Sequence, residues 1–392
     1  MMRTRLKVMT VVGTRPEIIR LSRIIAALEE HTDHILVHTG QNYDYLLNEI
    51  FFDDLELRRP DHFLQADTSS LGAVLGDVLK GTERVLNLVR PDAMVVLGDT
   101  NSCISALMAR RMKIPVYHLE AGNRSFDPNV PEEINRHLVD HVADYNLVYT
   151  EHSRRNLLSE GIHPSRVVLM GSPMKEVLEH SASRIGQSDV LSRLELEEGE
   201  FILASAHREE NVDRPDRLEG LLRSLAAVAE KQGVPVIVST HPRTAKRLEQ
   251  YELDAGVNVR FHPPLGFLDY IRLQETARCV ISDSGTISEE SSLLGFPAVT
   301  IRDAIERPEA IDTGAIITTG TGPEDVVDAV AITLAQHVSS GPATIPEEYR
   351  IADSSRRVLN LIRSTAATHH LRTGVRMNAS PLEASGIGEL RR

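Results

Sequence analysis

Short apolar runs along this chain alternate with segments whose apolar residues recur at helical spacing. Residues 6–12 form the first apolar run, a Gly-Thr-Arg-Pro turn follows, and residues 17–29 carry apolar side chains every three or four positions. The first pattern is typical of a buried β-strand and the second of an amphipathic α-helix. The repeated alternation predicts a parallel sheet with helices on both faces.

The N-terminal half contains several such runs. They predict strands at residues 6–12, 35–38, 93–97, 116–120, 147–149 and 167–170. Helical spacing predicts helices at residues 17–29, 43–51, 71–88, 102–112 and 153–160. A further helix is expected to start after Pro131, because proline favours the first helical turn. Residues 53–68 are expected to form an irregular loop.

The C-terminal half shows the same alternation. Strands are predicted at residues 201–205, 236–239, 257–261, 279–282, 298–301 and 315–318, and helices at residues 218–231, 268–276, 287–294 and 324–336. The polar residues 183–199 are expected to link the halves, residues 338–350 to form a Gly/Pro-rich connector, and residues 353–370 to form a final helix. The tail 373–392 has no period and is expected to be mobile.

These elements predict an α/β protein with two Rossmann-like, doubly wound domains that face a central cleft. The expected N-terminal domain is residues 1–180, joined by the C-terminal helix 353–372. The expected C-terminal domain is residues 181–350.

Composition narrows the class of protein. The 392 residues are 41% hydrophobic and 25% charged, as in a globular protein, and the net charge of −13 argues against a nucleic-acid-binding surface. No apolar run reaches the roughly 20 residues of a membrane span, and the N-terminus lacks a signal-peptide pattern. Cys103 and Cys279 lie far apart in apolar segments, so no disulfide framework is expected. We therefore expect a cytoplasmic protein without membrane or nucleic-acid partners.

Parallel sheets bind ligands beyond the carboxyl ends of their strands, and residues 118–136 form one such segment. This charged stretch is either a solvated loop with ion pairs or part of an active site. Asp99, Glu120 and Glu132 lie at or just past neighbouring strand ends, and closely set carboxylates shift each other's pKa apart, which provides an acid and a base. His207 and His241 follow strands of the other half and are expected to face them. His207 is a catalytic, structural or metal-binding candidate, but no metal-binding spacing accompanies it.

Residues 283–290, DSGTISEE, form a turn of small residues between a predicted strand and helix. The free amides of such a helix start bind phosphate, with Glu290 placed for ribose hydroxyls, although a simple N-cap explains the turn equally well. Arg15 and Arg307 lie in similar turns, either as phosphate ligands or as surface ion pairs. Together the arginines, carboxylates and histidines suggest chemistry on a nucleotide-activated sugar.

The ordered motifs resemble those of the non-hydrolysing UDP-N-acetylglucosamine 2-epimerase family, whose fold is the glycosyltransferase-B architecture. The matching segments span nearly the whole chain: Gly13-Thr14-Arg15-Pro16-Glu17, Thr39-Gly40-Gln41, Gly98-Asp99-Thr100, Glu120-Ala121-Gly122, Pro131-Glu132-Glu133-Ile134-Asn135-Arg136, His207-Arg208-Glu209-Glu210-Asn211, Asp283-Ser284-Gly285, Glu289-Glu290 and Glu306-Arg307-Pro308-Glu309.

The resemblance implies elimination of UDP across C1–C2 of the sugar to a glycal, followed by re-addition with inverted C2. It implies a homodimer that needs no cofactor beyond the UDP of its substrate. Carried over by position, the catalytic residues are Asp99, Glu120, Glu132 and His207. The UDP or substrate-binding residues are Arg15, Arg20, Arg136, Tyr270 (beside the uracil), Ser284, Gly285, Thr286, Glu290 and Arg307, and further candidates are Asn123, Arg208 and His241.

Several positions depart from the family pattern, among them Arg20 in place of lysine and Asn123 in place of leucine. With residues 16–22, PEIIRLS, they are similar to the branch that converts UDP-2-acetamido-2,6-dideoxy-L-talose to UDP-N-acetyl-L-fucosamine for capsule or O-antigen. The alternatives are an ordinary UDP-N-acetylglucosamine/UDP-N-acetylmannosamine epimerase, a glycosyltransferase of the same fold, and a catalytically silent UDP-sugar-binding regulator.

Overall fold

The computed structural model describes residues 5–40, 45–127, 129–302 and 307–375. Gln41 and Glu306 of the matched segments, residues 43–44 of one predicted helix and nearly all of the tail expected to be mobile lie outside these ranges. The described residues form two parallel sheets, each covered by helices on both faces.

The N-terminal sheet has the order β3-β2-β1-β4-β5-β6-β7 within the described residues, and all its pairings are parallel. Its strands are β1 (Lys7–Val12), β2 (Asp33–His38), β3 (His62–Phe63), β4 (Ala93–Leu97), β5 (Val116–Leu119), β6 (Tyr145–Val148) and β7 (Val167–Leu169). Its helices are α1 (Arg15–His31), α2 (Tyr45–Asp54), α3 (Leu71–Val89), α4 (Ser105–Arg111), α5 (Pro131–Val142), α6 (Glu151–Ser159) and α7 (Met174–Gly186).

The C-terminal sheet has the order β10-β9-β8-β11-β12-β13 in the described part of the chain and is also parallel. Helix α8 (Val190–Arg193) precedes its strands β8 (Ile202–Ser205), β9 (Val236–Ser239), β10 (Val259–His262), β11 (Cys279–Ser282), β12 (Ala298–Ile301) and β13 (Ile317–Thr319). Its helices are α9 (Glu209–Val212), α10 (Pro215–Gln232), α11 (Pro242–Tyr251), α12 (Phe267–Thr276), α13 (Ile287–Leu294), α14 (Pro308–Asp312) and α15 (Pro323–Ser340).

The chain then returns to the first sheet. After a 3₁₀ turn at Glu347–Arg350, α16 (Ser354–Thr365) buries Val358 and Ile362 in the same core as α1, and α17 (His369–Thr373) follows. The α/β architecture with two Rossmann-like domains is therefore confirmed.

Some predicted elements were wrong in detail. The expected loop 53–68 contains β3, which pairs with β2 through two residues at the sheet edge. The expected linker 183–199 begins inside α7 and contains α8, because Val177, Leu178 and Ile185 place a buried face on a segment rich in polar residues. The expected helix 102–112 starts as a 3₁₀ turn at Asn101–Ile104. The final helix is interrupted by a 3₁₀ turn at Ala366–Thr368.

A buried carboxylate connects two of the strand-end turns. Glu17, in the first turn of α1, accepts hydrogen bonds from the N–H groups of Gly13 at 2.6 Å and Thr14 at 2.8 Å. It also accepts from the hydroxyl of Thr100 at 2.7 Å and from that of Ser102. The turn after β1 and the turn after β4 are thus held side by side, although burial raises the pKa of the Glu17 carboxyl.

Among the described residues, no helix combines the length and the apolar content that crossing a bilayer requires.

Candidate active site

Glu120 is the carboxylate where the two domains meet. It follows β5 with a left-handed backbone (φ 61°) and is ion-paired to Arg20 of α1 and, at 2.7 Å, to Arg307 of the C-terminal domain. Burial would raise the pKa of Glu120, but Arg20, Arg307 and Arg136 outweigh it and lower the pKa. Glu120 is therefore ionised at neutral pH.

A second buried carboxylate completes this arrangement. Arg20 also donates to Glu289 of α13 at 3.0 Å, so this one guanidinium joins carboxylates of both domains. Burial raises the pKa of Glu289 to about 7, although Arg20 and Arg307 oppose the shift. Tyr149 lies beneath both arginines, whose guanidinium carbons are 5.5 and 5.8 Å from its ring centroid. We call Arg20, Glu120, Tyr149, Glu289 and Arg307 the interdomain cluster.

Asn123 also contacts this cluster. Its amide donates to Glu120 at 3.1 Å, and its carbonyl oxygen accepts from the hydroxyl of Ser153 at 2.9 Å. The turn that places it needs Gly122, because φ is +79° there and a Cβ would lie 2.3 Å from the carbonyl oxygen of Ser153. Two of the positions that depart from the family pattern, Arg20 and Asn123, thus both bind Glu120.

Arginines pair with two of the predicted acids, Glu120 and Asp99. Asp99 accepts from Arg136 at 2.6 Å, and Arg136 also binds Glu133 at 3.0 Å. The side chain of Glu132 is half-buried on α5 and makes no hydrogen bond or ion pair with another described residue.

A buried histidine, His118, holds the loop that carries Asp99 in place. His118 on β5 contacts the carbonyl oxygen of Gly98 at 2.7 Å through Nε2 and Asp140 at 2.9 Å through Nδ1. Asp140 in turn binds Arg124 at 2.8 Å. These side chains position the loop without lining the cleft.

His207 and His241 lie on the opposite side of the cleft, after β8 and β9. Nδ1 of His207 is 3.1 Å from Asp283, which also accepts from the N–H groups of His207 and Arg208. Burial opposes ionisation of Asp283, but these partners lower its pKa to about 2. The His207 and His241 rings are 5.8 Å apart.

His241 is neutral at pH 7. Burial, then the charges of His207 and Arg15, lower the pKa of His241 to about 4. Arg15 begins α1, and its guanidinium lies 5.3 Å from the centroid of the Phe51 ring. The charge of this N-terminal-domain arginine contributes to the lowered pKa of His241 in the C-terminal domain. Within the described residues, no cluster of three or more metal-binding side chains is present.

The turn between β11 and α13 carries Ser284, Gly285 and Thr286. The Ser284 and Thr286 hydroxyls are 2.9 Å apart, and the Ser284 hydroxyl accepts from the N–H of Thr286 at 3.3 Å, while Thr286 makes no side-chain cap to the helix. One turn further along, Glu290 accepts from Gln274 at 2.6 Å and burial raises its pKa. Tyr270 lies beside the turn after β8, with its hydroxyl 3.0 Å from that of Ser205.

The expectation that site residues follow the carboxyl ends of the strands identified most of these residues but missed others. Tyr149 was assigned to a strand, although it directly follows β6 and the same rule identifies it. Glu289 precedes Glu290 in α13 and faces the cluster, which only the helix orientation reveals. Glu133 pairs with Arg136 at i,i+3 spacing on α5, a local pattern that the sequence contains. His118 and Asp140 form a hydrogen bond between separate elements, which no local pattern shows.

The comparisons with known proteins agree with this geometry. Residues 26–363 match the family model described as UDP-N-acetylglucosamine 2-epimerase. A UDP-N-acetylglucosamine 2-epimerase of Methanocaldococcus jannaschii is 37% identical over 84% of this chain and 92% of its own. A UDP-2,3-diacetamido-2,3-dideoxy-D-glucuronate 2-epimerase of Pseudomonas aeruginosa is 34% identical over 85% of this chain and 94% of its own.

Solved structures show the same likeness. The UDP-N-acetylglucosamine 2-epimerase of Rickettsia bellii superposes with a TM-score of 0.88 at 42% identity, over 95% of this chain and 100% of that one. The Methanocaldococcus jannaschii enzyme in complex with UDP-GlcNAc and UDP gives a TM-score of 0.86 at 35% identity, over 92% of this chain and 100% of that one.

Proposed function

The chain belongs to the UDP-N-acetylglucosamine 2-epimerase family, and we propose that it inverts C2 of a UDP-linked 2-acetamido sugar by eliminating and re-adding UDP. It is an isomerase of that type. The observation that carries the proposal is Glu120, an ionised carboxylate bound by arginines of both domains in the cleft. An enzyme that expels a diphosphate needs cations for the leaving group and a carboxylate for the proton, and both are present here.

In the proposed reaction a base removes the C2 proton while the C1–O bond to UDP breaks. The electron pair of the C2–H bond forms the C1=C2 bond of a glycal, and UDP leaves with the electrons of the C1–O bond. UDP then adds back to C1, and a proton is delivered to C2 from the opposite face. No atom or electron is gained or lost overall.

We assign roles in the proposed reaction to the site residues from their positions in the chain and in the cleft. We assign the proton transfers to Asp99, Glu120, Glu132 and His207, without dividing the steps among them. UDP is assigned to Arg15, Ser284, Gly285, Thr286, Glu290 and Arg307, with Tyr270 beside the base, and the sugar to Arg20, Asn123 and Arg136. Arg208 and His241 lie at the edge of the diphosphate side. These assignments are supported by the strand-end positions of the residues and by the contacts described above.

For the substrate we propose UDP-2-acetamido-2,6-dideoxy-L-talose, converted to UDP-N-acetyl-L-fucosamine for capsule or O-antigen. The two departures that suggest this branch, Arg20 and Asn123, both bind Glu120, so a change in sugar specificity would act through the same carboxylate. UDP-N-acetylglucosamine is the second candidate, because the Rickettsia bellii and Methanocaldococcus jannaschii proteins carry that name.

Anomeric-proton NMR with each UDP-sugar separates the two candidates. We expect the deoxytalose substrate to be converted with a kcat/KM at least about tenfold above that for UDP-N-acetylglucosamine, a difference of about 1.4 kcal/mol. Equal or faster conversion of UDP-N-acetylglucosamine would contradict the substrate proposal. Transfer of the sugar to an added acceptor, without C2 inversion, would indicate a glycosyltransferase.

Elimination of UDP can be detected by following an oxygen isotope in the diphosphate of the substrate. With ¹⁸O in the bridge between C1 and the β-phosphorus, release and return of UDP should move the label into non-bridging positions during turnover. Inversion at C2 with the label kept in the bridge would contradict the mechanism.

We also propose that turnover requires no nicotinamide, because elimination and re-addition transfer no hydride, and no metal, because Arg15 and Arg307 supply cations for the departing diphosphate. Activity should survive a chelator and exhaustive dialysis. A restored activity that depends on added metal or NAD would contradict this.

A further inference from the structure

Tyr149 lies at the carboxyl end of β6, between the two domains. Its side chain is buried, with 1% of the residue exposed, and its hydroxyl has no hydrogen-bond partner among the described residues. A buried tyrosine without a partner for its hydroxyl is unusual, because an unpaired hydroxyl destabilises the fold. The contacts of this side chain are therefore made by its aromatic ring, which a phenylalanine would also supply.

The ring contacts both arginines of the interdomain cluster. The Arg20 guanidinium carbon lies 5.5 Å from the ring centroid and that of Arg307 lies 5.8 Å from it, both within the range of a cation–π contact. Arg20 comes from α1 of one domain and Arg307 from the start of α14 in the other. One aromatic ring therefore attracts cations from both sides of the cleft.

These same guanidiniums hold Glu120 and Glu289. Arg307 binds one oxygen of Glu120 and Arg20 binds the other, while Arg20 also reaches Glu289 at 3.0 Å. The two guanidiniums repel each other, and the charge of Glu120 offsets that repulsion. The ring adds cation–π attraction to both of them. Without the ring, both arginines would have more rotamers available and Glu120 would be held less firmly.

We propose that Tyr149 is a positioning residue, whose ring orients Arg20 and Arg307 so that Glu120 and the diphosphate are placed for elimination. This inference rests on the proposed function for its catalytic part. Its binding part, the orientation of Arg307 toward UDP, is measurable without turnover.

Tyr149→Phe and Tyr149→Leu separate the ring from the hydroxyl. Tyr149→Phe keeps the ring, so kcat/KM should stay within about threefold of the wild type. Tyr149→Leu removes two cation–π contacts and should lower kcat/KM by about tenfold or more. A Leu variant with unchanged kcat/KM, or a Phe variant as impaired as the Leu variant, would overturn the proposal.

Tyr145→Leu is the matched control. Tyr145 lies on the same strand, is 8% exposed and stacks on Tyr117 at 4.9 Å, away from the interdomain cluster. The Tyr145→Leu variant should unfold at a lower temperature, as Tyr149→Leu does, while its kcat/KM stays within about threefold of the wild type. If both Leu variants lose activity in proportion to stability, the role of Tyr149 is only structural and the proposal fails.

A double-mutant cycle tests whether Tyr149 acts through Arg20. If it does, Arg20→Lys with Tyr149→Leu should lose less kcat/KM than the product of the two single losses. Independent, multiplicative losses would overturn the proposal.

UDP affinity distinguishes failure of this inference from failure of the proposed function. If the wild type inverted no UDP-sugar, the proposed function would fail. Titration calorimetry with UDP would still be expected to show about tenfold weaker binding for Tyr149→Leu and unchanged binding for Tyr149→Phe. Equal UDP affinity in all three proteins would overturn the inference.

Discussion

At the scale of single residues, the site depends on which carboxylates stay ionised after burial. Glu120 and Glu289 both bind Arg20, but the side chain of Glu120 is 15% exposed and that of Glu289 is fully buried. Arg307 binds Glu120 directly, and the pKa of Glu120 is lowered. Glu289 has the weaker set of partners, and burial raises its pKa to about 7. The number of guanidiniums in contact and the depth of burial both contribute to the difference.

Asp99→Asn should abolish turnover and leave UDP binding nearly intact. The substitution keeps the shape of the side chain but removes its proton-accepting charge, and we expect kcat to fall by about 100-fold or more. Turnover is measured by NMR and UDP affinity by calorimetry. The exposed Asp216→Asn serves as control. Lost UDP binding in a folded Asp99→Asn protein would show that Asp99 was misplaced.

Asn123→Leu should lower kcat by about tenfold, because Glu120 loses a hydrogen bond from the Asn123 amide at 3.1 Å and hydrogen bonds to charged groups contribute about 1.5–3 kcal/mol. The Ser153 hydroxyl also loses its partner. Ser153→Ala removes only that second contact and should cost less. Equal kcat in Asn123→Leu and the wild type would mean that Asn123 does not act through Glu120.

Glu289→Gln should remove a pH dependence of stability. The ordinary pKa of this carboxyl is 4.5 and burial raises it to about 7, so the unfolded chain releases the proton first. The wild type should therefore lose stability as the pH rises from about 4.5 to about 7, and the variant should become more stable relative to it over that window. Urea unfolding at several pH values measures this, with the exposed Glu198→Gln as control. A constant difference across the window would contradict the shift.

At the scale of elements, the turns after the strands determine where the chemistry lies. Glu17 joins the turn after β1 to the turn after β4, and His118 fixes the second turn from β5. The turn that carries Arg15 is thereby held by Glu17 of its own segment, and the turn that carries Asp99 by Glu17 and His118 of other segments.

Glu17→Ala should lower the free energy of unfolding by about 2–4 kcal/mol, because two backbone N–H groups and two hydroxyls lose their acceptor. Urea denaturation measures the change. Glu30→Ala lies on the exposed side of the same helix and should cost less than about 0.5 kcal/mol. Equal effects of both substitutions would show that the buried contacts of Glu17 contribute little.

Sequence predicted the elements best where an apolar run ends at a polar turn. The strands β4, β9, β11 and β12 and the helix α13 have the predicted bounds, because each is short, apolar or amphipathic and closely bounded. Helix α7 was missed, because its polar residues continue into a polar segment and conceal its buried face. The pairing of β3 with β2 depends on tertiary contact alone.

For the site, sequence predicted positions better than contacts. It placed Asp99, Glu120 and His207 at strand ends, where the structure has them. It did not predict that arginines pair with these acids, since those arginines come from α1, α5 and the opposite domain. The paired residues lie 37, 100 and 187 positions apart, and no local spacing encodes them.

At the scale of the whole molecule, ion pairs hold the two domains against each other. Arg20 binds Glu289, Arg307 binds Glu120, and His152 lies 2.8 Å from Asp312, each pair crossing from one domain to the other. Under the proposed assignment of Arg307 to UDP, the diphosphate would compete with Glu120 for this guanidinium. Substrate binding would then be coupled to release of the Glu120 carboxylate.

We also propose a homodimer, with α3 in its interface. Leu71 is 66% exposed at the start of α3, and Leu71→Glu should weaken the dimer by about tenfold or more. An acidic residue at a helix start does not destabilise the helix, so dissociation would report on the interface. Sedimentation equilibrium measures it, with Val257→Glu, at 98% exposed, as control. A monomeric wild type, or a variant as dimeric as the wild type, would contradict this interface.

The most direct test of the central claim is turnover in D₂O followed by proton NMR at C1 and C2. Proton removal and return at C2 should give an epimer in which deuterium has replaced the C2 proton, with no added cofactor. An epimer that keeps its C2 proton, or the absence of any interconversion among the UDP-2-acetamido sugars, would contradict C2 epimerisation by elimination and re-addition of UDP.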